Sequence, residues 1–108
     1  MRILVITETD ACSGPMAAAF LRDYSPSLEV VSVGKNPSRS IDSMVVTLMK
    51  ECLIDLSGYV PKADSEVDMN TFDQVYKCPD VPCPLTMEEC RILRDHIKNE
   101  AYLFFKQL

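Results

Sequence analysis

A chain of 108 residues with 47% hydrophobic content can bury an ordinary core without disulfide help, and its length predicts one compact domain spanning residues 1–108. A formal net charge of −5 argues against a polyanionic partner, because nucleic-acid binding draws most of its affinity from Lys and Arg neutralising phosphates. The opening "MRILVIT" is too short an apolar run for a secretory signal, and no stretch approaches the roughly 20 apolar residues that span a bilayer, so a cytoplasmic location is expected.

Arg2 to Thr7 is rich in Ile, Leu and Val with little alternation, the pattern of a strand buried on both faces of a parallel sheet. Pro15 suits a first helical turn, and "MAAAFLRDY" continues as a strong helix former up to Pro26. The stretch "LEVVSV", Leu28 to Val33, predicts a second strand ended by Gly34. Ile41, Met44, Val45, Leu48, Met49 and Cys52 recur at helical spacing, which places a second helix from Ile41 to about Leu53.

"IDLSGYVPKADSEVDMNTF" reads as a polar connection with room for one short helix, and "QVYK", Gln74 to Lys77, as a short third strand. "CPDVPCP" is a loop by its three prolines. From Thr86 to Leu108 a long helix is expected, buried along Met87, Cys90, Leu93, Ile97, Ala101 and Phe104 and capped by Thr86 with Glu88 and Glu89 in its first turn. The alternation of strand and helix implies right-handed crossovers and a short central parallel sheet in a three-layer α-β-α arrangement. In such sheets ligands sit beyond the carboxyl ends of the strands, where the loops Thr7 to Pro15 and Cys78 to Pro84 both end.

"VITETDACSGPMAA", Val5 to Ala18, has the strand, loop and helix start that ordinarily hold an anion. Glu8 and Asp10 oppose that use: a carboxylate about 4 Å from an oxyanion costs roughly 4 kcal/mol at an effective dielectric of 20. The attraction of a helix N-terminus is typically below about 2 kcal/mol, so phosphate binding should be weak or absent. Glu8 and Asp10 are better read as caps on backbone amides of the loop than as metal ligands.

The five cysteines are too few and too widely spread for a secreted disulfide scaffold, and they suit a reducing compartment. Cys52 and Cys90 lie on apolar helix faces and read as core. Cys12 reads as a partly exposed thiol in the loop. For Cys78 and Cys83 two readings stand, small packing residues in a proline-rich turn or a redox or ligand pair. Were Cys12, Cys78 and Cys83 to converge with Asp10, they could hold a soft metal or trivalent arsenic, although the spacing matches no standard zinc pattern. His96 falls on a helix flank, the turn "KNPSR" is a solvated loop, and no cofactor is called for.

The strand "ILVI", the helix start "PMA" at Pro15 to Ala17, the turn "VVSVGKNPSRSID" and the phrase "MKECLIDLSGY" together resemble the low-molecular-weight protein tyrosine phosphatases and the related thioredoxin-coupled arsenate reductases. That resemblance implies a phosphatase-like fold with flavodoxin-like strand order and a loop carrying a nucleophilic Cys, five further residues and an Arg. Thr7 stands at the position of the nucleophile and Ser13 at that of the arginine, while Cys12 matches a second loop cysteine that many members carry. A threonine hydroxyl stays protonated without a base, and Ser13 cannot clamp equatorial oxygens bidentately as a guanidinium does. The family's general acid is an Asp followed by Pro; no such pair exists here, and Asp80 is the nearest candidate.

"YKCPDVPCP" is similar to a shortened arsenate-reductase redox segment, with Cys78 and Cys83 in the matching places, which implies a disulfide that a thioredoxin-type reductant would open. The resemblance thus points to a degenerate member with a binding or regulatory role toward a protein or small-molecule ligand. The alternatives are a thiol-dependent redox enzyme or a soft-metal-binding protein using Cys12, Cys78 and Cys83.

Overall fold

The structure is a computed structural model that describes residues 1–79 and 86–108. In chain order it contains β1 (Arg2–Thr7), α1 (Ser13–Tyr24), β2 (Glu29–Gly34), α2 (Ser43–Lys50), β3 (Gln74–Lys77) and α3 (Met87–Lys106), with 3-10 turns at Asp64–Glu66 and Met69–Thr71. The strands are parallel in the order β2-β1-β3, so β1 is central and buried from Ile3 through Thr7. Register pairs Thr7 with Gly34 on one side of β1 and Ile6 with Lys77 on the other, so all three strands release their loops at one edge.

Alternation along β1 feeds two cores, because successive side chains point to opposite faces. Ile3 and Val5 join Met16, Phe20, Met49, Ile97 and Ala101 in the larger cluster beneath the α-helices. Leu4 and Ile6 join Val33 on the other face, where Val67 and Phe72 cover them. The layer on that second face is therefore thin and is built from the two 3-10 turns, since the polar connection there offers no apolar helical stripe.

α1 is buried from Ser13 to Leu21 between the sheet and α3. It ends where Ser25 turns to extended backbone before Pro26, as the ring of a following proline requires. α3 opens with a capping box in which Thr86 Oγ1 accepts from the Glu89 N–H at 3.1 Å and a Glu89 carboxylate oxygen accepts from the Thr86 N–H at 3.1 Å. Its buried stripe is Cys90, Arg94, Ile97 and Ala101, with Leu93 and Phe104 half-buried. Met87, expected in that stripe, is 45% exposed because the first turn precedes the packed part of the helix.

α2 is shorter at both ends than its apolar spacing suggests. Asp42 caps it by accepting from the Met44 N–H at 2.9 Å. At the other end the Ile54 N–H reaches Met49 O and the Leu53 N–H reaches Lys50 O, the paired bonds of a Schellman motif. Arg94, nearly buried on α3, donates to Leu48 O at 2.9 Å and to Glu51 at 2.8 Å, tying α2 to α3. Hydrogen bonds from Arg91 and then Arg94 hold the Glu51 carboxyl down to about 2.

The Schellman turn places Leu53 at φ 63°, a left-handed conformation in which a Cβ crowds the carbonyl oxygen. Its side chain is 96% exposed and contributes no packing in return. Leu53→Gly is therefore expected to stabilise the fold by roughly 0.5–1 kcal/mol, the relief of left-handed strain minus the added freedom of the unfolded glycine. Urea unfolding checks this: the midpoint should rise with an unchanged slope, and an equal or lower midpoint would refute it.

Candidate functional site

Between β1 and α1 the chain makes a tight loop whose outer side is bound to the turn after β2. The carbonyls of Thr7, Glu8, Thr9 and Ala11 accept from the N–H groups of Lys35, Asn36, Ser38 and Asp42 at 3.1, 2.8, 3.0 and 3.1 Å. Gly34 lies so close beneath the loop that a Cβ there would stand 2.9 Å from Asp10 N, Glu8 O and Thr9 C. All three are backbone atoms that cannot rotate away, so the position requires glycine. The exposed turn "KNPSR" is thus solvated as expected, yet its backbone also supports the loop.

Asp10 sits at the bend of this loop with φ 53°, a region that Asp and Asn tolerate better than most residues. Its side chain is fully buried. Oδ2 accepts from the Tyr59 hydroxyl in a short hydrogen bond and from the Lys62 N–H at 2.9 Å. Tyr59 Oη also lies 2.6 Å from Ser32 Oγ. Tyrosine has one proton, which goes to Asp10, so Ser32 donates to Tyr59 and the chain of donors ends on the carboxylate.

Burial pushes the Asp10 carboxyl above its ordinary value, and the bonds from Tyr59 and Lys62 only partly oppose this. Burial and the neighbouring Asp10 likewise push the Tyr59 phenol up. Asp10 Oδ1 and Ser13 Oγ are buried without a hydrogen-bond partner among the described residues. Thr7 is buried, and its Oγ1 accepts from the Asp10 N–H at 3.0 Å. A Cβ on Gly14 would stand 2.8 Å from that oxygen and 3.4 Å from Asp10 Oδ1, so the start of α1 is packed directly against both.

The loop brings Thr7, Glu8, Asp10, Cys12 and Ser13 into one short segment, but three of these residues differ from their expected settings. Cys12 is only 6% exposed and belongs to the main core cluster, because the turn into α1 points it inward. Asp10 caps no amide of its own loop: it faces the interior and binds groups from the segment after α2. It therefore does not stand where a substrate's charge would lie. Glu8 is exposed and accepts from Asn36 Nδ2 at 2.6 Å, a side chain and not a backbone amide.

Beyond the carboxyl ends of β1 and β3 opens a cleft of about 560 Å³, whose lining includes Thr7, Glu8 and Cys78. Cys78 is buried at the end of β3, where its N–H extends the sheet ladder to Ile6 O at 2.9 Å. Cys83 and Asp80 lie outside the described residues. Among the described residues no group of three His, Cys, Asp or Glu side chains could hold a metal ion, and none of the helices is long and apolar enough to cross a membrane. Cys90 is buried, Cys52 packs half-buried against the core, and His96 is exposed on α3.

Tyr59, Ser32, Lys62 and Gly34 complete the site and were not singled out as site residues by sequence reasoning. Tyr59 closes the phrase "IDLSGY", so the stretch was visible while its partner was not. A carboxylate in an apolar-flanked loop was the other available signal, since a buried acid needs donors from somewhere.

Fold and loop together define a phosphatase-type α/β scaffold. The profile described as low molecular weight phosphotyrosine protein phosphatase matches residues 2–102, and the chain belongs to that family. It is similar in structure to the low molecular weight protein tyrosine phosphatase from T. tengcongensis, with a TM-score of 0.87 and 18% identity over 100% of this chain and 99% of that one. The arsenate reductase from Archaeoglobus fulgidus DSM 4304 superposes with a TM-score of 0.82 at 17% identity, covering 96% and 98%. A YwlE arginine phosphatase variant with serine in place of a cysteine and a phosphorylated active-site serine gives 0.84 at 19% identity, covering 100% and 95%. At these identities the likeness is one of fold. No curated protein matches in sequence.

The sign of Asp10's influence follows from its raised carboxyl. The fold holds that proton more tightly than the unfolded chain, so Asp10's contribution falls as pH climbs from the ordinary value of 3.8 through the raised one, and is level above it. Asp10→Asn keeps an acceptor for Tyr59 and Lys62, tolerates the positive φ and carries no charge. The variant should lose this part of the pH dependence. Urea midpoints of both proteins across the acid range test it, and a variant that keeps the parent's pH dependence in full would contradict it.

Proposed function

We propose that this chain keeps the fold of its family without the phosphatase reaction and serves as a cytoplasmic binding or regulatory protein. The observation that carries this reading is the buried pair of hydroxyls, Thr7 and Ser13, at the positions where the family's pattern has a cysteine and an arginine. Among the described residues Thr7 has no side-chain base in hydrogen-bond contact, and its oxygen already receives a backbone N–H. An arginine's charged hydrogen bonds to an oxyanion are worth about 1.5–3 kcal/mol each, and no described side chain of the loop replaces them. Glu8 at the mouth of the cleft adds repulsion.

The YwlE variant named above shows that a hydroxyl in such an active site can carry phosphate in that protein. Here the hydroxyl would have to accept it without the arginine position filled. Removing a nucleophile from a cooperating catalytic set can cost on the order of a millionfold, so activity assays have range to decide. With an aryl phosphate such as p-nitrophenyl phosphate, product release should not exceed buffer. Turnover that disappears on Thr7→Ala or Cys12→Ala would overturn the reading.

A second reading rests on Cys78, which lines the same cleft as Thr7. It makes the chain a thiol-dependent redox enzyme using Cys12, Cys78 and Cys83 with a thioredoxin-type reductant. Failure of Cys78 and Cys83 to pair under mild oxidant would remove it. Stoichiometric metal retained under reducing conditions would instead favour a soft-metal carrier.

A further inference from the structure

The cleft at the carboxyl edge of the sheet has a charge pattern that the loss of phosphatase chemistry does not explain. At about 560 Å³ it has the size of a small-molecule site. Register places Lys77 beside Ile6 on one side of β1, while Lys35 follows Gly34, which pairs with Thr7 on the other side. Glu8 emerges between them from the end of β1. Asp64 and Met69, from the two 3-10 turns, close the face above Ile6.

Among the described residues, the side chains of Lys35, Lys77 and Asp64 form no ion pair and no hydrogen bond. Among these residues Glu8 is engaged only by Asn36 Nδ2, on one oxygen. Two cations and two carboxylates thus line one cleft without neutralising one another, above an apolar floor of Ile6 and Met69. A simple anion would meet the two lysines but also both carboxylates, and a simple cation the reverse. Only a ligand carrying both charges satisfies all four groups.

We propose that this cleft binds a small zwitterion, a free α-amino acid with an apolar side chain. Its carboxylate accepts from Lys35 and Lys77, its ammonium donates to Glu8 and Asp64, and its side chain lies on Ile6 and Met69. The inference rests on the binding role proposed above and names the ligand class for it. It requires no covalent step, and it leaves the buried part of the loop, including Asp10 and Ser13, out of ligand contact.

Titrating ¹⁵N-labelled protein with L-methionine should give saturable shifts at the backbone amides of Thr7, Glu8, Lys77 and Cys78. N-acetyl-L-methionine lacks the ammonium and L-methioninamide lacks the carboxylate, so each should bind at least about tenfold more weakly, as loss of a charged hydrogen bond implies. Lys77→Glu, an exposed change, should weaken L-methionine by a similar factor. No saturable shift at the lining amides, or an equal response to the blocked compounds, would overturn the inference. A failed titration beside a blank aryl-phosphate assay removes this inference alone, whereas turnover in that assay removes the reading beneath it.

Discussion

The loop between β1 and α1 depends on one buried interaction, the carboxylate of Asp10 held by the Tyr59 hydroxyl and the Lys62 N–H. It fixes the residue that turns the loop through a left-handed conformation, and it joins three parts of the chain that are distant in sequence. Ser32 brings in β2 through Tyr59, and Lys62 brings in the segment after α2. The same segment continues the sheet edge, because Gly34 N donates to Lys62 O at 2.8 Å. Gly34 is thereby trapped between loop and connection, which explains its intolerance of a side chain.

A buried carboxylate is an unusual choice for such a latch. Isolated, it would lose far more in desolvation than a single hydrogen bond returns, so its donors must arrive together with it. Two donors on one oxygen offset part of that cost, the second oxygen has no partner among the described residues, and burial still pushes the carboxyl upward. The loop of this family member is held in shape by the hydrogen bonds of its own aspartate, in a segment whose shape elsewhere suits an incoming anion. Thr7 fits the same picture, with its oxygen receiving the Asp10 N–H and packed against Gly14.

Much of the fold was legible because it depends on local pattern. The apolar run of β1, the four residues of β3, Pro26 after α1 and the Thr86 to Glu89 capping box each declare themselves within a few residues. The early end of α2 was hidden because its apolar spacing continues to Cys52, while a left-handed Leu53 closes the helix. The site was less legible. Positions Thr7 and Ser13 could be placed by resemblance, but Asp10 finds its partner 49 residues away, and no periodicity encodes such a contact. Cys12 turns inward at the irregular start of α1, so its burial could not be read from an alternating or helical pattern.

The central claim is that the loop persists as architecture after losing its affinity for oxyanions. The most direct measurement is a titration of ¹⁵N-labelled protein with inorganic phosphate, following the backbone amides from Thr7 to Gly14. Those resonances should remain unmoved beyond the effect of ionic strength, since Glu8 at the mouth of the cleft opposes the anion and no arginine receives it. Saturable shifts concentrated in that segment would show a working phosphate cradle and contradict the account.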